Sequence, residues 1–315
     1  MYAVIVRTYN VRIVIVMTQR KKNIMSKTLI AGDLHINERS ILELSEIFEK
    51  DIFPIKADRF IQLGDWFDKN TPSPAELKFS AELVLKLKKQ YKEVIILSGT
   101  GEHDLLRGTS VVEHLESLGV KVIKGDFIEN VDLFCGHFML YESSLAFGTG
   151  KMGIGDLAKY DKVFLGHQHS PQEIVKNNIY HIGSVRYVSF NEVSDKKHVA
   201  VLEDGKMSFI ALKTSIPMLD VTDVSQLEQI DARTKVRVIF NSFTDYKKNA
   251  SYVNKIGRKF FLFKIKMNFA ESNIINTSSK KMDICPKGNI IQEYLNKIED
   301  VEVRKLLEEQ FKDII

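Results

Sequence analysis

Five short blocks, GDLHIN (32–37), GDWFDKN (64–70), GTGEHD (99–104), CGHF (135–138) and GHQHS (166–170), each follow directly on a run of apolar residues. No other feature limits the fold as much. Several short strands must end in tight loops that carry glycine together with carboxylate or imidazole groups. Glycine allows the tight turn and lets a backbone pass close to a ligand. Asp33, Asp65 and Glu102 supply oxygens, while His35, His103, His137, His167 and His169 supply ring nitrogens. This donor mixture suits Mn²⁺, Fe²⁺ or Zn²⁺.

Between the blocks the chain has an α/β rhythm. Short apolar runs at Lys27–Gly32, Arg59–Leu63, Val94–Leu97, Val120–Ile123, Val131–Cys135, Lys162–Leu165, Ile179–Ile182 and His198–Leu202 read as strands. Arg39–Lys50 places Ile41, Leu42, Leu44, Ile47 and Phe48 at helical spacing, and Pro74–Tyr91 reads as an amphipathic helix behind the turn Thr71-Pro72-Ser73-Pro74. Such strands alternating with helices imply a buried sheet covered by helices. Active groups then belong on loops leaving the strand ends.

Each block taken alone has an ordinary explanation. Asp-x-His after a strand is commonly a helix cap beside a surface histidine, Gly-Asp a simple turn, and Gly-His-x-His a weak metal signal. The joint order changes the weighing, because five donor-rich strand ends in succession are not assembled by chance. They read as a site for two metal ions. His114, His181 and His198 lack such partners and take no ligand role.

Charge is neutral evidence about partners. Five of the 45 basic residues (Arg7, Arg12, Arg20, Lys21, Lys22) lie in the first 24 residues, which hold no acid, and the remaining 40 face 41 acidic ones. A domain gripping nucleic acid by bulk charge is more basic. Residues 1–24 are strand-like, with a basic run before Met25, and read as an N-terminal extension, Met25 being a natural start. Cys135 and Cys285 are too few for a disulfide framework or a thiolate zinc site, which fits a reducing, cytoplasmic compartment. No apolar run is long enough to span a bilayer, so no membrane role is expected.

The ordered series D-x-H, G-D-x-x-D, G-x-H-D, G-H and G-H-x-H resembles the calcineurin-like metallophosphoesterase signature, over Asp33 to His169. The resemblance implies a four-layer α/β/β/α sandwich with a small α+β capping domain and C-terminal helices. It implies one metal on Asp33, His35, Asp65 and His169, and a second on Asp65, Glu102, His137 and His167. His103 would be the general acid or transition-state stabiliser, and Asp68 would orient a ligand or cap a turn. Mn²⁺ is the expected ion, with Fe²⁺, Mg²⁺ and Zn²⁺ as alternatives. One departure stands out: the family carries asparagine where this chain has Glu102, so a carboxylate replaces a neutral amide.

Beyond His169, the stretch YHIGSVRYVSF (180–190), the acidic-glycine turn Glu203-Asp204-Gly205 and the link Ile216-Pro217-Met218-Leu219-Asp220 resemble the SbcD-type, meiotic-recombination-type repair nucleases, and GDWFDKNTPSPAE resembles their bacterial and phage version. The implied organisation is an extension (1–24), a nuclease domain (25–215), a capping domain (216–269), a linker (270–287) and a helical partner-docking segment (288–315). Asn289–Ile298 and Val301–Ile315 have amphipathic helical spacing. The resemblance implies docking of this region to an SbcC-like SMC-type ATPase, DNA as substrate, and a homodimer. Two alternatives stay open: a phosphoesterase for a small molecule or phosphoprotein, and an attenuated metal-binding module that binds DNA without cutting it.

Overall fold

The computed structural model describes residues 27–124, 127–129, 133–143 and 150–268. All but Asn268 belong to one compact unit. The expected extension at 1–24, the linker at 270–287 and the helices at 288–315 lie outside the described residues.

In chain order the strands are β1 (Thr28–Ala31), β2 (Arg59–Gln62), β3 (Glu93–Leu97), β4 (Leu105–Leu106), β5 (Thr109–Ser110), β6 (Lys121–Ile123), β7 (Phe127–Glu129), β8 (Leu133–His137), β9 (Lys162–Gly166), β10 (Gln172–Val175), β11 (Ile179–His181), β12 (His198–Glu203), β13 (Lys206–Ala211), β14 (Met218–Val221), β15 (Lys235–Phe240) and β16 (Leu262–Met267). The α-helices are α1 (Ile41–Ile47), α2 (Pro74–Gln90), α3 (Ile154–Leu157) and α4 (Phe243–Ile256). A six-stranded sheet has the order β13-β12-β1-β2-β3-β6, and a five-stranded sheet the order β10-β11-β9-β8-β7. Strands β1, β2, β3 and β6 are parallel, as are β8, β9 and β11.

Side-chain alternation along the strands creates the layers. Leu29, Ala31, Phe60, Val94 and Ile96 point to a core shared with α1 and α2. Their neighbours Ile30, Ile61, Leu63, Ile95 and Leu97 point the other way, against Leu133, Cys135 and Phe164 of the second sheet. The second sheet turns Phe134, Val163, Leu165 and Ile179 outward against Leu157 and Tyr160. Helix, sheet, sheet and helix therefore stack as four layers, as the resemblance implied. Both faces of the central strands are buried, which explains why they read as continuous apolar runs.

Helix α2 begins where the sequence SPAE demands. Ser73 Oγ accepts the Glu76 N–H at 3.4 Å, Glu76 Oε2 accepts the Ser73 N–H at 2.7 Å, and Pro74 occupies the first helical position. Helix α1 is shorter than its periodicity suggested and runs into a π-helical turn, Phe48–Ile52. One further difference appears. The expected proline-containing link after Ile216 contains a strand, β14, which pairs in parallel with β15, and β15 pairs in parallel with β16. Their face toward α4 forms a separate core around Val221, Leu227, Val236, Val238, Phe240 and Val253.

Candidate metal centre

The donor blocks leave the carboxyl ends of β1, β2, β3, β8 and β9, the edge where parallel sheets gather functional groups. The loops are fastened to one another. Leu34 N and His35 N both donate to Asp65 O (3.1 and 3.0 Å), and Ile36 N donates to Trp66 O (2.9 Å). Gly64 has φ +102°, and a Cβ there would lie 2.5 Å from His137 Nδ1. At Gly99 a Cβ would lie 2.0 Å from Asp65 Oδ1. Glycine is required at both places for close approach. Three donors themselves occupy the left-handed region: His35 (φ 48°), Asp65 (φ 47°) and His167 (φ 76°). Asp and His tolerate that region better than bulkier residues, and strain of this kind collects at functional sites.

Three overlapping donor groups result, each with ligand atoms within 4.8 Å of one another: Asp33–His35–His169, His35–Asp65–His103 and Asp65–His137–His167. His35 Nε2 lies 2.8 Å from His169 Nε2, and His169 Nε2 lies 3.7 Å from Asp33 Oδ2. On the other side His137 Nε2 lies 3.2 Å from Asp65 Oδ2. Asp65 stands between the two ends, with His35 Nε2 and His103 Nε2 each 3.9 Å from its Oδ2.

The far nitrogens fix the rings. His137 Nδ1 donates to Leu63 O (2.6 Å), His103 Nδ1 to Asp68 O (2.8 Å) and His169 Nδ1 to Glu192 Oε1 (3.3 Å). A carbonyl or carboxylate only accepts, so each Nδ1 carries a proton and each Nε2 faces the cluster. This is the arrangement of metal-ligating histidines. Buried His137 Nε2 faces only Asp65 Oδ2, at 3.2 Å, and His35 Nδ1, on the far side of its ring, faces the Asp68 carboxylate at 3.6 Å, neither in a well-formed hydrogen bond, which is costly for buried polar atoms. Mixed imidazole and carboxylate donors, with buried nitrogens unsatisfied, fit a pair of divalent cations.

Electrostatics point the same way. Burial opposes a proton on His137, but Asp65 and Asp33 outweigh it and push the ring up to about 9. For Asp65, burial is outweighed by His137, His35 and His103, which hold the carboxyl well below the usual range. Burial raises Asp33, with His137 opposing. Burial, then the neighbouring His137, lowers His167 to about 4, and burial with His169 keeps His35 well below its ordinary value. A carboxylate field strong enough to hold a buried imidazolium is the field a dication would neutralise.

Seven expected residues are thus brought together: Asp33, His35, Asp65, His103, His137, His167 and His169. Asp68 sits beside them through its carbonyl, with its carboxylate 3.6 Å from His35 Nδ1. Glu102, the remaining expected ligand, is exposed and enters none of the donor groups among the described residues. The turn explains this. Buried Asp104 accepts the N–H groups of Trp66, Phe67 and Gly99 (3.0, 3.0 and 2.8 Å), while His103, Asp104 and Leu105 N–H groups all converge on Thr100 O. That geometry turns His103 inward and Glu102 to solvent.

Sequence reasoning assigned no role to four supporting groups. Asp104 ties the second block to the third, burial pushing its carboxyl up to about 6. Arg186 donates to Leu34 O (3.1 Å) and His35 O (2.6 Å). Glu192 receives His169, and Lys197 Nζ donates to Glu192 Oε2 (2.7 Å) and His169 O (3.0 Å). Apart from Asp104–Gly99 and Lys197–Glu192, these contacts span 23 to 152 positions, so no local spacing reveals them. A cavity of about 340 Å³ opens beside the cluster, between Gly99–Gly101 and His137–Met139, with His167 and Lys151 on its wall.

The calcineurin-like phosphoesterase family matches residues 26–240, more than half of the chain. No curated protein matches significantly. Among solved structures, the nuclease MPE of Pseudomonas putida is similar at 14% identity, over 58% of this chain and 87% of that one, with a TM-score of 0.31. A likeness that loose carries no functional argument. Among the described residues no helix is long and apolar enough to cross a membrane.

Proposed function

From the chain's membership of the calcineurin-like phosphoesterase family, metal-dependent hydrolases with a dinuclear centre, we propose that it is a Mn²⁺-dependent DNA exo/endonuclease subunit. The observation that carries the hydrolytic reading is the buried run of donors in which Asp65 links Asp33, His35 and His169 to His137 and His167. Two divalent cations there would supply Lewis-acid neutralisation of a phosphate and a lowered water pKa. The protein's own groups do the rest. Asp65 Oδ1 is held by Thr100 N (2.8 Å) and Oγ1 (3.2 Å), which aims Oδ2 between the two ends of the site. His103, its Nδ1 fixed on Asp68 O, keeps Nε2 toward the cluster, where it can hold a proton at the leaving oxygen.

The DNA reading is supported by the resemblance of the stretch after His169, with its GSVR turn and the β12–β13 hairpin around Asp204-Gly205; the β14–α4–β16 unit would serve as the capping domain. An SbcC-like SMC-type ATPase is the proposed partner, docking on 288–315, with a homodimer as the assembly, the cytoplasm as compartment and repair or recombination as the setting. The 340 Å³ cavity favours a second reading, a phosphoesterase for a small phosphorylated molecule, since it has the size of a small-molecule pocket.

Mn²⁺-dependent digestion of linear duplex and single-stranded DNA, beside hydrolysis of p-nitrophenyl phosphate, separates the two. DNA cleavage abolished by EDTA is expected. Rapid monoester turnover with intact DNA would overturn the nuclease assignment in favour of the second reading.

A further inference from the structure

The segment from Ser184 to Glu192 touches the donor cluster on one side and the three-stranded sheet on the other. Toward the cluster, Arg186 holds the carbonyls of Leu34 and His35, and Glu192 accepts the Nδ1–H of His169. Val188 N and Ser189 N also donate to the Glu192 carboxylate (3.3 and 2.7 Å), so its position follows that of the segment. Toward the sheet, β15 grips the same segment at three points. Lys235 Nζ donates to Tyr187 O at 2.8 Å, Arg237 Nη2 donates to Phe190 O at 3.3 Å, and the Arg237 guanidinium lies over the Phe190 ring, 4.9 Å from its centroid.

Arg237 is itself fixed, donating through Nε and Nη2 to the two oxygens of Asp220, each at 2.7 Å. A paired, planar guanidinium is a rigid support. Phe190–Glu192 is a single 3₁₀ turn capped by Ser189, and its Phe190 end rests on Arg237. We propose that Arg237 is a positioning residue for the Asp33–His35–His169 end of the centre, acting through Phe190 and Glu192 on His169. The inference rests on the reading of the site as a two-metal centre. The other end is braced differently: His137 rests on Leu63 O and Asp65 on Thr100. The influence of Arg237 is therefore selective for one metal position of the two. A ligand that drew Arg237 away from Phe190 would loosen that position and leave the other in place.

Mn²⁺ titration of the full chain by calorimetry, without substrate, tests this. The wild type is expected to bind two ions. Arg237→Met should weaken one of them roughly tenfold, the lower range for losing a group that supports a metal-ligating histidine. The metal-free unfolding midpoint should stay unchanged. Lys266→Met, which removes a cation from β16 two residues beyond Lys264, whose Nζ lies 5.7 Å from the Phe190 ring centroid, should change neither affinity. In a His137→Ala background Arg237→Met should still show its tenfold effect, and in a His169→Ala background it should show none. Wild-type affinities in Arg237→Met, or equal weakening of both ions, would overturn the proposal while leaving the two-metal reading intact. A wild type that binds no Mn²⁺ would overturn that reading and this inference with it.

Discussion

Replacing Glu192 by glutamine removes one charge and almost no volume, so its consequences can be worked from the contacts. Oε1 accepts from Ser189 N (2.7 Å) and His169 Nδ1 (3.3 Å), and Oε2 from Lys197 Nζ (2.7 Å), Ser184 Oγ (3.1 Å) and Val188 N (3.3 Å). An amide NH₂ placed on either side meets donors. Lys197, with its side chain 1% exposed, loses its closest counter-charge. Breaking a buried pair in this way costs about 3–5 kcal/mol. The carboxyl's own titration gives a second route to the figure. Burial would raise it, but His169 and Lys197 outweigh burial and bring it from 4.5 down to about 2, worth about 3 kcal/mol at ~1.4 kcal/mol per unit. A folded pKa below the unfolded one means stability that is present above about pH 4.5 and lost as pH falls toward 2. Urea unfolding in EDTA at pH 7 should therefore show Glu192→Gln destabilised by about 3 kcal/mol, with the gap to wild type closing on acidification. A difference below about 1 kcal/mol at pH 7, the range of an exposed pair, would refute the reasoning.

Other outcomes follow from the same geometry. His103→Ala should lower cleavage by roughly 10²- to 10⁴-fold, the usual contribution of a general acid, while calorimetry still finds two Mn²⁺ ions; loss of an ion would make it a ligand instead. Glu102→Ala should leave Mn²⁺ affinity within about twofold, because its side chain points to solvent, and a larger loss, of the size met on removing metal-supporting groups, would return it to the ligand set. Lys235 Nζ reaches both Glu43 oxygens (3.0 and 2.7 Å) in a nearly dry setting. Lys235→Met alone should cost about 3–5 kcal/mol in urea unfolding, whereas the double change Glu43→Leu with Lys235→Met should recover most of it. A fully additive double variant would deny the coupling.

The parts of this protein that could be read from sequence are those encoded by neighbours in the chain. A glycine, a donor and an apolar run within six residues identify a strand end such as Gly32-Asp33-Leu34-His35. Doubly buried strands such as Val94–Leu97 announce themselves as unbroken apolar runs. SPAE marks the start of α2. Elements whose identity depends on distant partners were not legible. β14 is four residues long with Leu219 and Asp220 exposed, so it resembles a link until β15 pairs with it. β10 is half polar and becomes a strand only against β11. Glu102 and His103 are adjacent in sequence, yet buried Asp104 sends them in opposite directions. Glu192, Lys197 and Arg186 reach the site only through the packing of the 184–192 segment, which no local pattern records.

Anomalous diffraction from crystals soaked in Mn²⁺ bears most directly on the central claim. Two peaks about 3.5–4 Å apart are predicted, one against Asp33, His35 and His169, the other against His137 and His167, with Asp65 touching both. A single peak, or none among these residues, would contradict it.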